Sequence, residues 1–205
     1  MIATCFTGNV DRPANFALAC QLDKGIASEV DYMALRRAED QVACAAIGAV
    51  PVHLPFLEAP HRGYADAAAL FAGRHADDDV EPALTAALHG LIATYRPALV
   101  LGPYGLGRHV DHLIVRSSLD SLGRFPRRRL WQDWPYADRL SSDLPAPAWD
   151  AEVMLDPVDR AAMTAGCLGY ASQLGFQFGS VERMTSLLAV RRSERFVRAD
   201  TSVRC

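Results

Sequence analysis

The chain has 205 residues, half of them hydrophobic, and a formal net charge of -3 at pH 7. These values favour a globular domain with a sizeable core and argue against a disordered chain or a non-specific nucleic-acid binder. The sequence contains no run of about 18 apolar residues, so we predict no membrane span. The N-terminus lacks the pattern of a signal peptide. The five cysteines show no C-x-x-C spacing. We therefore expect reduced thiols in a cytoplasmic protein. The sequence leaves open whether the protein is a monomer or a homo-oligomer.

The N-terminal third of the chain predicts two short strands separated by a long loop and a helix. Residues 2–6 form an apolar run that predicts a strand. Residues 11–31 mix Pro, Gly, Asn and Asp, which favours a loop. A helix is predicted over 31–47, with Asp31 as its N-cap. The prolines in 49–56 then indicate a short strand or one near a sheet edge.

The middle of the chain predicts a β-α-β order. Residues 81–95 carry an apolar stripe at helical spacing, which predicts an amphipathic helix. The apolar run at 99–101 predicts a buried strand. Residues 124–129 form a basic cluster; the alternatives are a nucleic-acid contact and a solvated loop, and the net charge favours the loop. A further strand is predicted at 130–132.

The C-terminal part adds a second long polar segment at 138–156. Pro157 suits the first position of a helix that we predict to run to about residue 173. Residues 186–190 and 195–197 predict two strands joined by a tight polar turn. The alternation of strands and helices predicts an α/β fold with a mainly parallel sheet and helices on both faces. No linker divides the chain, so we predict a single domain over residues 1–205.

A candidate site follows the predicted strand at 99–101. A glycine-rich loop leads to His109, Asp111 and His112 at the start of an apolar-periodic helix, and open α/β sheets bind ligands at such points. Histidines at i and i+3 project to the same side of a helical turn, and imidazole is a common ligand of divalent metals. One histidine could bind metal while the other serves acid or oxyanion chemistry, with Asp111 orienting a ring. The alternative is a polar helix start with two surface histidines.

Three further residues are candidates because of where they lie. Asp133 and Tyr136 follow the next predicted strand, so we expect His109 and His112 to lie in one polar pocket at the carboxyl end of the sheet, beside Asp133 or Tyr136. Arg62 lies in a Pro/Gly loop, and its guanidinium could clamp a hydroxyl pair or an anionic group. The alternative for Arg62 is an ordinary surface arginine.

Several segments, in order along the chain, carry a resemblance to a known family. They are F-T-G-N at 6–9, L-R-R-A-E-D at 35–40, E-A-P-H-R-G at 58–63, G-R-H-V-D-H at 107–112, D-W-P-Y-A at 133–137 and Y-A-S-Q at 170–173. Together they resemble the PIG-L/LmbE-like zinc-dependent de-N-acetylases.

The resemblance implies a Rossmann-like fold, zinc as cofactor and hydrolysis of an N-acetyl group on an amino sugar or its glycoside. Carried over to this chain, His112 is a metal ligand. His109 stabilises the oxyanion or protonates the leaving amine, and Asp111 orients a histidine. Arg62 and Tyr136 contact the substrate.

The sequence departs from the family pattern at one motif. The family's H-P-D-D-E segment, which supplies two metal ligands and the general base, follows a first strand, whereas residues 1–6 already resemble the second strand. We therefore expect a deacetylase domain that is truncated at its N-terminus and impaired in activity. The H-A-D-D run at 75–78 imitates the motif, but we interpret it as a solvated helix N-terminus. The alternative to a deacetylase function for the whole chain is a non-catalytic remnant or a sugar-binding homologue.

Overall fold

The computed structural model describes residues 1–123, 126–139 and 147–199. They fall into two compact units. The first unit contains Met1–Ala65 and Met154–Ser193, and the second contains Asp66–Val153 with the residues after Ser193. The single domain predicted over residues 1–205 stays a prediction.

The described residues form strands and α-helices that alternate along most of the chain. In order they are β1 (Ile2–Thr4), α1 (Asn15–Leu22), α2 (Tyr32–Ala46), β2 (Pro51–His53), α3 (Val80–Tyr95), β3 (Leu99–Pro103), α4 (Val110–Asp120), β4 (Arg127–Trp131), β5 (Ala151–Met154), α5 (Pro157–Leu168), α6 (Ala171–Phe178), α7 (Val181–Val190) and β6 (Ser193–Arg198). Short 3-10 helices lie at Ala59–His61, Ala69–Phe71 and Tyr136–Arg139. The predicted α/β fold is confirmed. No helix in the described part of the chain is long and apolar enough to span a bilayer.

The first unit places helices against a short parallel sheet in which β1 pairs with β2. The α2 helix begins where the sequence predicts, because the Asp31 side chain accepts the N–H of Ala34 at 2.8 Å. It packs against α5. The contact is close, since a Cβ added at Gly169 would lie 2.7 Å from the backbone of Ala43. Only glycine permits this approach between the end of α5 and α2.

A buried network joins two of the segments that carry the family resemblance. The carboxylate of Asp40 on α2 accepts hydrogen bonds from Tyr170 at 2.5 Å and Thr4 at 3.0 Å, and it lies 2.9 Å from His53 Nε2. The neighbouring carboxylate of Glu39 accepts the N–H and hydroxyl of Ser172. These contacts tie the start of α6 to α2, which gives both segments a structural role.

The second unit holds a four-stranded sheet with the order β3-β4-β6-β5. Strands β3 and β4 are parallel, whereas β4 and β6 are antiparallel. Helix α4 packs on β3 and on α3, and Val110 and Ile114 are fully buried on its inner face. Gly102 in β3 lies directly under Leu119, where any Cβ would clash. This close packing holds the last turn of α4 against β3.

The structure corrects several predicted elements. Residues 186–190, predicted as a strand, belong to α7, because Ser180 caps the helix and Met184 and Leu188 are buried one helical turn apart. The loop predicted over 11–31 contains α1, and the second polar segment contains β5.

Two other expectations need qualification. The helix predicted from Pro157 to residue 173 is broken near Gly169 into α5 and α6. The H-A-D-D run does not form a wholly solvated helix start, since Asp78 is buried and helix α3 begins at Val80. Part of the predicted basic cluster, Arg124 and Phe125, lies outside the described residues.

Candidate active site

The centre of the candidate site is a contact between His112 and Asp133. His112 lies on the first turn of α4, which follows β3, and Asp133 lies just after β4. The Nδ1 atom of His112 is 2.7 Å from Oδ1 of Asp133. Because β3 and β4 are parallel neighbours, their carboxyl ends bring these two residues together.

The loop after β3 holds the other oxygen of Asp133. The backbone N–H groups of Gly105 and Leu106 donate to Oδ2 at 2.7 and 2.9 Å. Gly105 has φ of +88°, a backbone conformation that glycine adopts without strain. The side chain of Asp133 is fully buried, so three N–H groups replace the water that would otherwise solvate the carboxylate.

These contacts determine which ring nitrogen of His112 carries a proton. A carboxylate only accepts hydrogen bonds, so Nδ1 of His112 carries a proton. In the neutral imidazole, Nε2 then has a free lone pair. The ring is 30% exposed, and Nε2 has no partner among the described residues. His112 therefore presents an acceptor atom or ligand atom at the surface of the unit.

His109 has the complementary arrangement. It is the N-cap residue of α4, and its Nδ1 accepts the N–H of Asp111 at 3.3 Å. In the neutral ring, the proton is then on Nε2, which becomes a donor. The centroids of the His109 and His112 rings are 5.6 Å apart. The two imidazoles thus combine a proton donor and a proton acceptor.

Tyr136 completes the group, at the start of the 3-10 helix Tyr136–Arg139. Its ring centroid lies 5.2 Å from that of His112 and 6.0 Å from that of His109. Gly107 makes this approach possible, since a Cβ at Gly107 would be 2.9 Å from Cβ of Tyr136. The structure therefore brings together His109, His112, Asp133 and Tyr136, as the sequence analysis expected.

The remaining predicted site residues lie differently. Asp111 contributes its backbone N–H to His109, and a catalytic role for its carboxylate stays a prediction. The carboxylate that holds His112 is that of Asp133, which sequence reasoning placed near the site without assigning it a role. The sequence feature that placed Asp133 near the site was its position directly after a predicted strand. Arg62 belongs to the first unit, where it donates to the Leu57 carbonyl at 2.6 Å and lies over the Phe6 ring.

The described part of the chain does not provide a full set of zinc ligands. Zinc sites use at least three protein ligands, and residues 1–123, 126–139 and 147–199 contain no group of three His, Cys, Asp or Glu side chains arranged to hold a metal. His112 fits one ligand position, because its partner Asp133 orients the ring as the outer partners of metal-bound histidines do. The residues described therefore supply one ligand and do not by themselves fit the metal.

Three solved deacetylase structures resemble this chain over nearly its whole length. A deacetylase-bog complex from the teicoplanin biosynthesis pathway has a TM-score of 0.77 at 24% identity, covering 98% of this chain and 87% of its own. The zinc-inhibited form of teicoplanin deacetylase Orf2 has a TM-score of 0.76 at 22% identity, with coverage of 98% and 88%. The A40926 pseudoaglycone deacetylase Dbv21 has a TM-score of 0.74 at 23% identity, with coverage of 98% and 86%.

The chain has the fold of these deacetylases. At this level of identity the similarity concerns the fold, and function has to be argued from the site. No family profile matches the chain, and no curated protein matches it in sequence.

Proposed function

We propose that this protein is an N-deacetylase of the PIG-L/LmbE-like type, which hydrolyses the N-acetyl group of an amino sugar or its glycoside. The observation that carries the proposal is the contact of His112 with Asp133, with His109 and Tyr136 beside it. The fold shared with three deacetylases and the ordered motifs support it. The reaction adds water to the amide and releases acetate and the free amine.

The residues divide the work by their protonation. His112, with its proton on Nδ1, offers the Nε2 lone pair to a water molecule or a metal ion. His109 offers its Nε2–H to the amide oxygen, where negative charge develops, and then to the leaving nitrogen. Tyr136 can donate its hydroxyl to the substrate. Asp133 keeps His112 in one orientation throughout.

Two other expected roles belong to this proposal. Arg62 would contact the substrate, and Asp111 would help orient His109 through the start of α4. Zinc is the proposed cofactor on the family resemblance, with His112 as one ligand. Because the described residues provide a single ligand, we expect weak zinc binding, and no step of the reaction is assigned to the metal.

Amine release from methyl glycosides of N-acetylglucosamine tests the proposal directly. We expect the wild-type protein to release amine, and the rate of release to fall at least tenfold in His112→Ala and in His109→Ala. His89→Ala is the matched control, since His89 is exposed on α3 and contacts none of the site residues described above. Equal activity in all four proteins would contradict the assignment of the site.

A sugar-binding protein without catalysis is the alternative function, and the lack of a three-ligand group among the described residues favours it. Calorimetric titration with the same glycoside separates the two. Binding that His112→Ala weakens, without any amine release in the presence of zinc, would establish the alternative and overturn the deacetylase proposal.

A further inference from the structure

Phe71 places an apolar ring beside His109 and Tyr136. Its ring centroid lies 5.3 Å from that of His109, with the ring planes at 82°, and 6.1 Å from that of Tyr136. This edge-to-face arrangement is a favoured geometry for aromatic pairs. Phe71 nevertheless keeps 38% of its surface exposed. A large apolar ring is thus held at the candidate site with part of its surface open to a ligand.

The segment that carries Phe71 is anchored on both sides. Before it, the carboxylate of Asp66 accepts the N–H of Ala69 at 2.8 Å. After it, Arg74 donates to the Asp78 carbonyl at 2.6 and 2.9 Å and pairs with Glu81. Two fixed ends give Phe71 a defined position.

One of these anchors connects the Phe71 segment to the helix of the site. The other carboxylate oxygen of Glu81 accepts the hydroxyl of Ser117 at 2.5 Å. Ser117 lies on α4, which also carries His112. The position of Phe71 relative to the histidines is therefore set by side-chain contacts within one unit and does not depend on packing of Phe71 alone.

The sequence on either side of Phe71 is also apolar. Residues 67–72 read A-A-A-L-F-A and carry no polar side chain. Covering such a segment with hydrocarbon removes apolar surface from water, which is favourable. A substrate group that lies here is expected to be aliphatic rather than hydroxylated.

We propose that Phe71 contacts the acyl group of the substrate, and that the site accepts N-acyl chains longer than acetyl. This inference rests on the proposed function, in which His109 donates to the amide oxygen. The acyl chain begins at the carbon that bears this oxygen, so its first carbons lie within contact range of the groups around His109. Phe71 lies beside His109 and keeps exposed apolar surface, and on this ground we assign it to the acyl chain.

The test compares methyl glycosides of N-acetyl-, N-propanoyl- and N-butanoylglucosamine as substrates. Each added methylene that contacts Phe71 should raise kcat/KM of the wild type about fourfold. We expect Phe71→Ala to abolish this dependence on chain length and Phe71→Leu to retain most of it. Phe176→Ala is the matched control, because Phe176 is also exposed but lies in the first unit, against Lys24. A chain-length dependence that survives in Phe71→Ala would overturn the inference.

A second arm keeps the acetyl group and lengthens the aglycone from methyl to octyl. If Phe71→Ala changes kcat/KM only in this series, Phe71 contacts the aglycone, and the acyl assignment is wrong.

Equilibrium binding of the three N-acyl glucosaminides separates this inference from the proposed function. Affinity that rises with chain length in the wild type and not in Phe71→Ala supports the acyl contact even if no amine is released, in which case only the deacetylase proposal fails. Equal affinities for all three ligands in both proteins would overturn the acyl contact.

Discussion

Asp133 holds His112 across the ends of two parallel strands. One carboxylate oxygen lies 2.7 Å from Nδ1 of His112, and the other accepts the N–H groups of Gly105 and Leu106. The same side chain therefore orients the histidine and closes the loop that leads to it. Loss of this carboxylate should affect both stability and activity.

Asp133→Asn is the first prediction. The amide has one acceptor oxygen and an NH2 group. If the oxygen faces His112, the two loop N–H groups lose their acceptor; if the NH2 faces His112, the ring has to carry its proton on Nε2, and its free lone pair is lost. A buried donor without an acceptor costs about 1–3 kcal/mol, and we expect a loss of this size in the free energy of unfolding, with at least a tenfold fall in amine release. Denaturant unfolding measures the free energy of unfolding, and the amine-release assay measures the activity. Asp120→Asn is the control, since Asp120 is exposed and pairs with Arg116 at the surface, where such pairs contribute little.

Gly107→Ala should move Tyr136. Gly107 has φ of +80°, and the added Cβ would lie 2.9 Å from Cβ of Tyr136. Gly25→Ala is a matched variant, because Gly25 has φ of +74° and open space around its Cα. Both variants carry the backbone cost of about 1–2 kcal/mol, but only Gly107→Ala should change the KM for the glycoside. Equal KM values in the two variants would show that Tyr136 does not contact the substrate.

Tyr170→Phe tests the buried network around Asp40. Removal of the hydroxyl leaves a buried carboxylate oxygen with one hydrogen bond fewer, and we expect a loss of about 1–2 kcal/mol in the free energy of unfolding at pH 7. Tyr95→Phe is the control, since Tyr95 is exposed near the end of α3. An equal, small effect in both variants would contradict the structural role of the network.

The same tyrosine predicts a pH dependence. Burial, followed by the hydrogen bond to the Asp40 carboxylate, raises the pKa of Tyr170 above its ordinary value of 10.0. The native state thus favours the protonated phenol. The contribution of this hydroxyl to the free energy of unfolding is fully present below pH 10 and is lost as the pH rises further. The stability difference between wild type and Tyr170→Phe should narrow above pH 10. Unfolding curves at neutral and alkaline pH measure it, and a constant difference would contradict the prediction.

Zinc should bind weakly. His112 is the ligand that the described residues offer, and a stable zinc site needs at least three. We expect a Kd of about 1 µM or weaker by calorimetry at neutral pH, with the binding lost in His112→Ala and retained in His89→Ala. A nanomolar Kd would show that other ligands complete the site.

The strongest local signals in the sequence predicted one helix in each unit. Helix α2 follows from the Asp31 cap, and helix α3 from an apolar stripe over four turns. The pairing of His112 with Asp133 followed in outline from two strand ends, because parallel neighbours share one edge of the sheet. The sequence did not show which of the nearby carboxylates binds the ring, since that depends on the direction of side chains in three dimensions.

Where prediction failed, tertiary contacts decided the structure. The run L-L-A-V at 187–190 is compatible with a strand or a helix, and burial of Met184 and Leu188 on one face selects the helix. Phe71 was missed because an apolar residue in an alanine-rich segment carries no chemical signal. Its importance depends on the position of His109, which is 38 residues away in the chain.

The two loop N–H groups that bind Asp133 belong to the main chain. Leu106 contributes to this contact with an atom that every residue except proline possesses. Its side chain takes no part in this hydrogen bond with Asp133. Substitutions at position 106 other than proline should therefore keep this hydrogen bond, so the loop can change in sequence there while Asp133 and His112 stay in contact.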